Sequence, residues 1–116
     1  MRLNHLHLRV QSRMRSCEFY ERYFRFIAHA RHGDVVFLRD EQDGLDLALA
    51  PAEAPQSLPS WFHFGFRLDG PEQVRALHDR MRGEGVTISG DLTEEQGLLH
   101  FRCTDPDGYQ IEVYWE

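Results

Sequence analysis

The chain has 116 residues, of which 41% are apolar and 28% charged, and its formal net charge is −6. These values are typical of one small soluble globular domain, and the acidic balance argues against nonspecific binding to nucleic acid or to an anionic membrane. All 13 basic side chains are arginine, and the lack of lysine excludes Schiff-base chemistry and covalently bound pyridoxal phosphate.

The first half of the chain predicts one strand, one helix and three further strands. Residues 3–10 alternate between apolar and polar side chains, as in a strand with one buried face. Ser12 can cap a helix that runs to about residue 24, because apolar residues recur at helical spacing from Met14 onward. Three short strands follow, at roughly 25–31, 34–40 and 44–50.

A proline-containing segment at 51–60 predicts a linker, after which the same order repeats. A strand covers about 61–68, and Asp69-Gly70-Pro71-Glu72 has the residue types of a helix start. Three more strands complete the second half, near 86–89, 98–104 and 109–115. The sequence therefore predicts a single domain with three parts: module 1 (1–50), the linker (51–60) and module 2 (61–116).

Matching segments at corresponding places in the two halves indicate an internal duplication. The matched segments are His5–Val10 with His63–Leu68, Val35–Arg39 with Leu98–Arg102, and Asp43–Ala48 with Asp107–Glu112. This alignment pairs His5 with His63 and Ala48 with Glu112. It also places His100 opposite Phe37 in the other half.

The aligned positions predict a metal site with an open side. His5, His63 and Glu112 carry ligand atoms, whereas the fourth equivalent residue is Ala48. Two histidines and one carboxylate leave coordination positions for water and substrate, as in non-haem iron sites. The ion can be Fe²⁺, Mn²⁺, Zn²⁺, Ni²⁺ or Co²⁺. Asp46 lies on the same strand face as Ala48 and is the alternative fourth ligand.

The twice-repeated βαβββ order, with HLHLRV opening the chain and DPDGYQIEVYWE closing it, resembles the vicinal oxygen chelate superfamily. Its members include glyoxalase I, extradiol dioxygenases, fosfomycin-resistance enzymes and bleomycin-binding proteins. The resemblance implies an α+β fold in which two βαβββ modules form a half-open barrel. It also implies that metal and substrate lie inside the barrel, often at a homodimer interface. The ten-residue linker permits metal ligands from one chain or from both.

The alanine at position 48 separates this chain from one branch of the superfamily. Relatives of glyoxalase I place a fourth ligand, usually glutamate, at this position, so Ala48 favours the three-ligand dioxygenases and fosfomycin-type enzymes. The fosfomycin enzymes carry threonine where this chain has His7, and the extradiol dioxygenases carry tyrosine where it has Arg102. We therefore expect a metal-dependent enzyme of dioxygenase, lyase or transferase type that acts on a small oxygen-rich substrate.

Other side chains on the predicted ligand faces are candidate catalytic groups. His7 and His100 are candidate general bases, and the planar fork of Arg102 suits a carboxylate, phosphonate or enolate oxygen. In the alternative interpretation, Arg102 pairs with an acid at the rim and His100 is a solvated strand residue. The predicted substrate pocket consists of Trp61, Gly65, Arg67 and Tyr114.

Two other functions remain open from the sequence. The chain can be a metal-free small-molecule binding protein of the bleomycin-resistance type, or a sensor or subunit with a vestigial site. We expect a homodimer, since a chain this short buries a modest fraction of its surface, and no nucleic-acid or membrane partner. The N-terminus has no apolar signal core and the two cysteines form no CxxC pair, so the expected location is cytoplasmic.

Overall fold

The computed structural model describes residues 1–54 and 57–116. The chain divides into two compact units, Met1–Ser57 and Leu58–Glu116. Each unit contains one helix and one four-stranded sheet, in the order strand–helix–strand–strand–strand. The α+β class and the order of elements predicted from the sequence are confirmed. No helix in the described ranges is long and apolar enough to cross a membrane.

The first unit is built around a sheet with strand order β1-β4-β3-β2. Its elements are β1 (His5–Val10), α1 (Arg13–Phe24), β2 (Ile27–His32), β3 (Val35–Asp40) and β4 (Leu45–Pro51). Strands β1 and β4 are parallel, and the other neighbours are antiparallel.

Helix α1 begins where the sequence predicts and buries a slightly different face. The hydroxyl of Ser12 accepts a hydrogen bond from the backbone N–H of Arg15 at 3.2 Å, which caps the helix. The buried residues are Ser16, Phe19, Tyr20 and Phe24. Met14, expected at the start of this stripe, is 71% exposed. The expectation was wrong. Met14 precedes buried Ser16 by two residues, which is a rotation of about 200° around the helix axis, and Met14 therefore lies on the solvent side.

The second unit repeats the topology, with strand order β5-β8-β7-β6. Its elements are β5 (Phe64–Arg67), α2 (Pro71–Gly83), β6 (Ile88–Glu95), β7 (Leu98–Thr104) and β8 (Gln110–Trp115). Strand β5 is parallel to β8, as β1 is to β4. Buried Asp105 stabilises the turn between β7 and β8. Its carboxylate accepts hydrogen bonds from the backbone N–H groups of Asp107 and Tyr109, at 2.9 and 3.0 Å.

Two strand boundaries in the second unit differ from the prediction. Strand β5 begins at Phe64, so Trp61 and His63 precede the strand and period-two alternation does not govern them. Strand β6 extends to Glu95, whereas the prediction ended it at residue 89. Glycine and aspartate are common in turns, but Gly90 and Asp91 lie within the strand. The pairing of β6 with β7 is irregular there, and its register shifts twice.

The sheet of the second unit has one apolar face and one polar face. Burial alternates along β7 and β8, and the buried set is Leu99, Phe101, Cys103, Ile111 and Val113. These residues face α2, which contributes Val74, His78 and Met81. His78 is held by Nε2 at 3.0 Å from Asp91 Oδ1 and by ring contact with Phe101.

The two cysteines are free thiols in different environments. Cys103 is fully buried on the apolar face of β7, and burial raises the pKa of its thiol to about 12. Cys17 on α1 is partly exposed, and its thiol pKa is raised less, by burial and by nearby Glu21. Because the thiolate is the reactive form, Cys103 is protected while the sheet is intact.

We expect iodoacetamide at mildly alkaline pH to label Cys17 in the native protein and to leave Cys103 unlabelled. The raised pKa of Cys103 lowers its thiolate fraction by a factor on the order of 10³ relative to an ordinary thiol. Intact mass should show one adduct in the native protein and two in urea. The Cys17→Ser variant is the control and should gain no adduct while folded. Equal labelling of both thiols in the native state would contradict the buried position of β7.

Candidate metal and anion site

Four residues form a row across the polar face of the second unit. Gly65 on β5 pairs with Glu112 on β8, Glu112 pairs with Arg102 on β7, and Arg102 pairs with Gly90 on β6. The glutamate and the arginine are therefore direct cross-strand neighbours, and both are half-buried. The row has a glycine at each end, so the two long side chains have space on either side.

The equivalent row of the first unit contains no ionisable pair. It runs from His7 through Ala48 and Phe37 to Ala30. By this register Ala48 takes the place of Glu112, in agreement with the sequence alignment. Phe37, however, takes the place of Arg102.

The alignment of β3 with β7 was therefore wrong by two residues, since it had placed His100 opposite Phe37. The alignment matched the two segments by residue type, with an arginine at the end of each, and the strand register does not follow that match. The two hairpins also differ in length by one residue. Six residues separate the paired Arg39 and Asp46, whereas five separate the paired Thr104 and Gln110. No constant offset between the two halves can therefore hold across this turn.

The ring of His63 is oriented by a backbone carbonyl. Its Nδ1 lies 3.0 Å from the carbonyl oxygen of Trp61, which can only accept, so Nδ1 carries the proton. Nε2 then carries the lone pair of the ring, and it lies 3.7 Å from Glu112 Oε2. A histidine whose second nitrogen is held by a carbonyl is typical of metal ligands, because that bond fixes both tautomer and ring orientation.

The Glu112 carboxylate also faces a second imidazole. Its Oε1 lies 3.3 Å from Nδ1 of His100, and the three side chains of Glu112, His100 and His63 are 22%, 25% and 31% exposed. His100 Nδ1 is buried and makes no hydrogen bond within the described part of the chain. The structure thus brings together His63, His100, Arg102 and Glu112, all of which the sequence singled out.

The two glycines of the row border this cluster closely. A Cβ atom on Gly65 would lie 3.1 Å from the carbonyl oxygen of Glu112, and one on Gly90 would lie 3.3 Å from Arg102 Cβ. Side chains at either position would press on the glutamate or the arginine. Glycine at position 65 therefore avoids crowding against the backbone of Glu112, and its place in the substrate pocket stays a prediction.

In the first unit, the possible fourth ligand is already engaged. Arg39 donates to both oxygens of Asp46, with Nε–Oδ1 at 2.6 Å and Nη2–Oδ2 at 3.0 Å. The hydrogen-bonded guanidinium lowers the pKa of Asp46. A forked pair of this kind uses the carboxylate oxygens that a metal would need. His5 and His7 are exposed on β1, and His5 is the register partner of Asp46.

The remaining pocket candidates lie at different distances from the cluster. Tyr114 is the cross-strand partner of both His100 and Arg67. Arg67 donates from Nη2 to the carbonyl oxygen of Glu116 at 2.6 Å, so this guanidinium is partly occupied by the last residue. Trp61 is 72% exposed and its ring lies against Phe62.

The donor chemistry fits a divalent ion, but the site is not fully assembled. His63 Nε2 and the Glu112 carboxylate are donor types that bind divalent transition metals, and they lie 3.7 Å apart. Across residues 1–54 and 57–116, no group of three or more histidine, cysteine, aspartate and glutamate side chains is arranged to hold a metal ion. The second unit therefore supplies two donor groups of the predicted set.

Comparison with known proteins identifies the family. The model of the Glyoxalase/Bleomycin resistance protein/Dioxygenase superfamily matches residues 2–113. The chain belongs to this superfamily, as the sequence resemblance had indicated.

Individual relatives are distant in sequence. Glutathione transferase FosA of Serratia marcescens is 29% identical, over 97% of this chain and 79% of that protein. Metapyrocatechase of Geobacillus stearothermophilus is 28% identical over 98% of this chain, which spans only 34% of the longer protein. The solved structure of a possible glyoxalase from Bacillus cereus has a TM-score of 0.82 and 29% identity, with 97% of each chain covered.

We expect the ring of His63 to be the Nδ1–H tautomer in solution, because the Trp61 carbonyl accepts that proton. Long-range ¹H–¹⁵N correlation spectra of the histidine rings measure the tautomer directly. Arg75→Met is the control variant and should leave the tautomer unchanged, since Arg75 lies on α2 and pairs with Glu94. A protonated Nε2 with a bare Nδ1 would contradict the assignment and remove the lone pair that faces Glu112.

Proposed function

We propose that the protein is a divalent-metal-dependent enzyme that acts on a small oxygen-rich substrate, with His5, His63 and Glu112 as the metal ligands. The observation that carries this proposal is the His63–Glu112 pair, in which a carbonyl-oriented imidazole presents its lone pair beside a half-buried carboxylate. The third ligand, His5, is a prediction from the sequence duplication. A bound ion would supply Lewis-acid catalysis, and iron would add oxygen chemistry.

The protein's own groups have distinct roles in this proposal. Arg102 binds an anionic oxygen of the substrate through its guanidinium fork, which is permanently charged and suits bidentate contacts. His100 is the proposed general base, and its Nδ1 lies 3.3 Å from Glu112 Oε1. His7 is the alternative base. Gly65, the cross-strand partner of Glu112, and Tyr114, the cross-strand partner of His100, are the proposed pocket residues nearest to these groups.

Two observations favour three-ligand chemistry over that of glyoxalase I. Ala48, at the register position equivalent to Glu112, has no ligand atom. Asp46, the alternative, has both oxygens bonded to Arg39. The reaction is accordingly of dioxygenase, lyase or transferase type. Arg102 favours an anionic substrate over a neutral one, because a half-buried guanidinium is best satisfied by an oxyanion.

The alternative function is metal-free binding of a small molecule, as in the bleomycin-resistance branch. The observation in its favour is the exposed aromatic pair of Trp61 and Phe62, which are 72% and 39% exposed. Exposed aromatic rings provide stacking surface for a planar ligand. Such a protein has no need for the His63–Glu112 arrangement, which is why the metal-dependent enzyme is the better-supported function. The homodimer and the cytoplasmic location stay predictions.

Metal content tests the proposal. Protein purified without chelator and without a nickel affinity step should contain, or take up on reconstitution, about one equivalent of a transition metal per chain, since His63 and Glu112 supply the donor pair. His63→Ala and Glu112→Ala should each lower the bound metal to below about a tenth of an equivalent. His29→Ala, which removes an exposed histidine of β2, is the matched control and should keep the metal.

Wild-type protein that takes up less than about a tenth of an equivalent after reconstitution would contradict the proposal and favour the metal-free alternative. His5→Ala tests the third ligand separately. Full metal content in that variant, together with loss in His63→Ala, would remove His5 from the ligand set and leave the pair in the second unit.

A further inference from the structure

The guanidinium of Arg102 lies beside His63 Nε2, the atom that would bind a metal ion. Its Nη2 lies 3.4 Å from His63 Nε2. A guanidinium can only donate, so this N–H points at the lone pair that the Trp61 contact leaves on Nε2. The same arginine is the cross-strand neighbour of Glu112. One positive side chain thus lies next to both donor groups of the proposed metal site.

This placement opposes metal binding. An ion on His63 and Glu112 must displace the Arg102 N–H from Nε2 and then lie a few ångströms from a second positive charge. The guanidinium cannot relieve that repulsion by losing a proton, because arginine stays charged in proteins. Like charges in a partly buried site are weakly screened. The metal can therefore bind well only when Arg102 moves or its charge is neutralised.

The sheet provides room for that movement. Gly90 is the cross-strand partner of Arg102 on the side away from Glu112. A Cβ atom there would lie 3.3 Å from Cβ and 3.6 Å from Cγ of Arg102. The glycine therefore leaves the base of the arginine side chain uncrowded on the β6 side, so a rotamer directed away from Glu112 meets no side chain at position 90.

We propose that Arg102 is an anion-operated gate on the metal site. In the absence of substrate its guanidinium occupies the lone pair of His63, and an oxyanionic substrate that engages the guanidinium fork releases His63 for the metal. This inference rests on the proposed function and concerns its regulation. Because linkage is reciprocal, the metal and the anion must then strengthen each other's binding.

The test is a Co²⁺ titration, followed by calorimetry and by the visible spectrum of the ion, with methylphosphonate as the anion probe. Three proteins are compared: wild type, Arg102→Met, and the control Arg75→Met. The control removes one positive charge from an exposed position on α2. We expect Arg102→Met to bind Co²⁺ about tenfold more tightly than wild type, and methylphosphonate to tighten Co²⁺ binding to wild type by about tenfold. The anion should change the affinity of Arg102→Met by less than about twofold.

Each alternative result has a different meaning. Equal Co²⁺ affinity in wild type and Arg102→Met would overturn the gate and leave the proposed metal site intact, provided that Glu112→Ala still abolishes binding. A similar gain in Arg75→Met would also overturn it, because net charge would then explain the effect. No Co²⁺ binding by any protein, with Cys103 still protected from alkylation, would overturn the metal site and the gate together.

Discussion

A carboxylate in the middle of a sheet face needs positive or hydrogen-bonding partners, and Glu112 sets the chemistry of the second unit through this requirement. Two imidazoles face its oxygens, at 3.7 Å from His63 and 3.3 Å from His100, and Arg102 is its neighbour on the next strand. Neither histidine contact has short hydrogen-bond geometry. The carboxylate is therefore surrounded by two imidazoles and a guanidinium, and the proposed metal site uses it as a ligand.

The two units share one topology and differ in how they treat the equivalent polar positions. In the first unit both carboxylate oxygens of Asp46 accept hydrogen bonds from Arg39, and Ala48 occupies the position equivalent to Glu112. In the second unit the arginine contacts an imidazole, and the carboxylate faces two histidines. The two units thus share a topology, with an ion pair in one half and the proposed metal site in the other.

The sequence was sufficient for those features that depend on local periodicity. Alternation identified the ligand faces of β7 and β8, and Ser12 identified the start of α1. It was insufficient where contacts between strands decide. The match of Val35–Arg39 with Leu98–Arg102 by residue type displaced the alignment of Arg102 by two residues. Strand β5 begins at Phe64, so His63 lies before the strand and not in it. The contact between Arg102 Nη2 and His63 Nε2 depends on the fold and is not visible in the sequence. The Arg39–Asp46 pair could have been found, because both residues flank one hairpin at positions that face each other.

The most direct test of the proposed metal site and its gate is a crystal structure of the protein grown with Co²⁺ and methylphosphonate, with data collected at the cobalt absorption edge. We expect an anomalous peak within bonding distance of His63 Nε2 and the Glu112 carboxylate, with the Arg102 guanidinium on the phosphonate and away from His63. An anomalous map without a peak at these two residues, with Arg102 still donating to His63, would contradict both proposals.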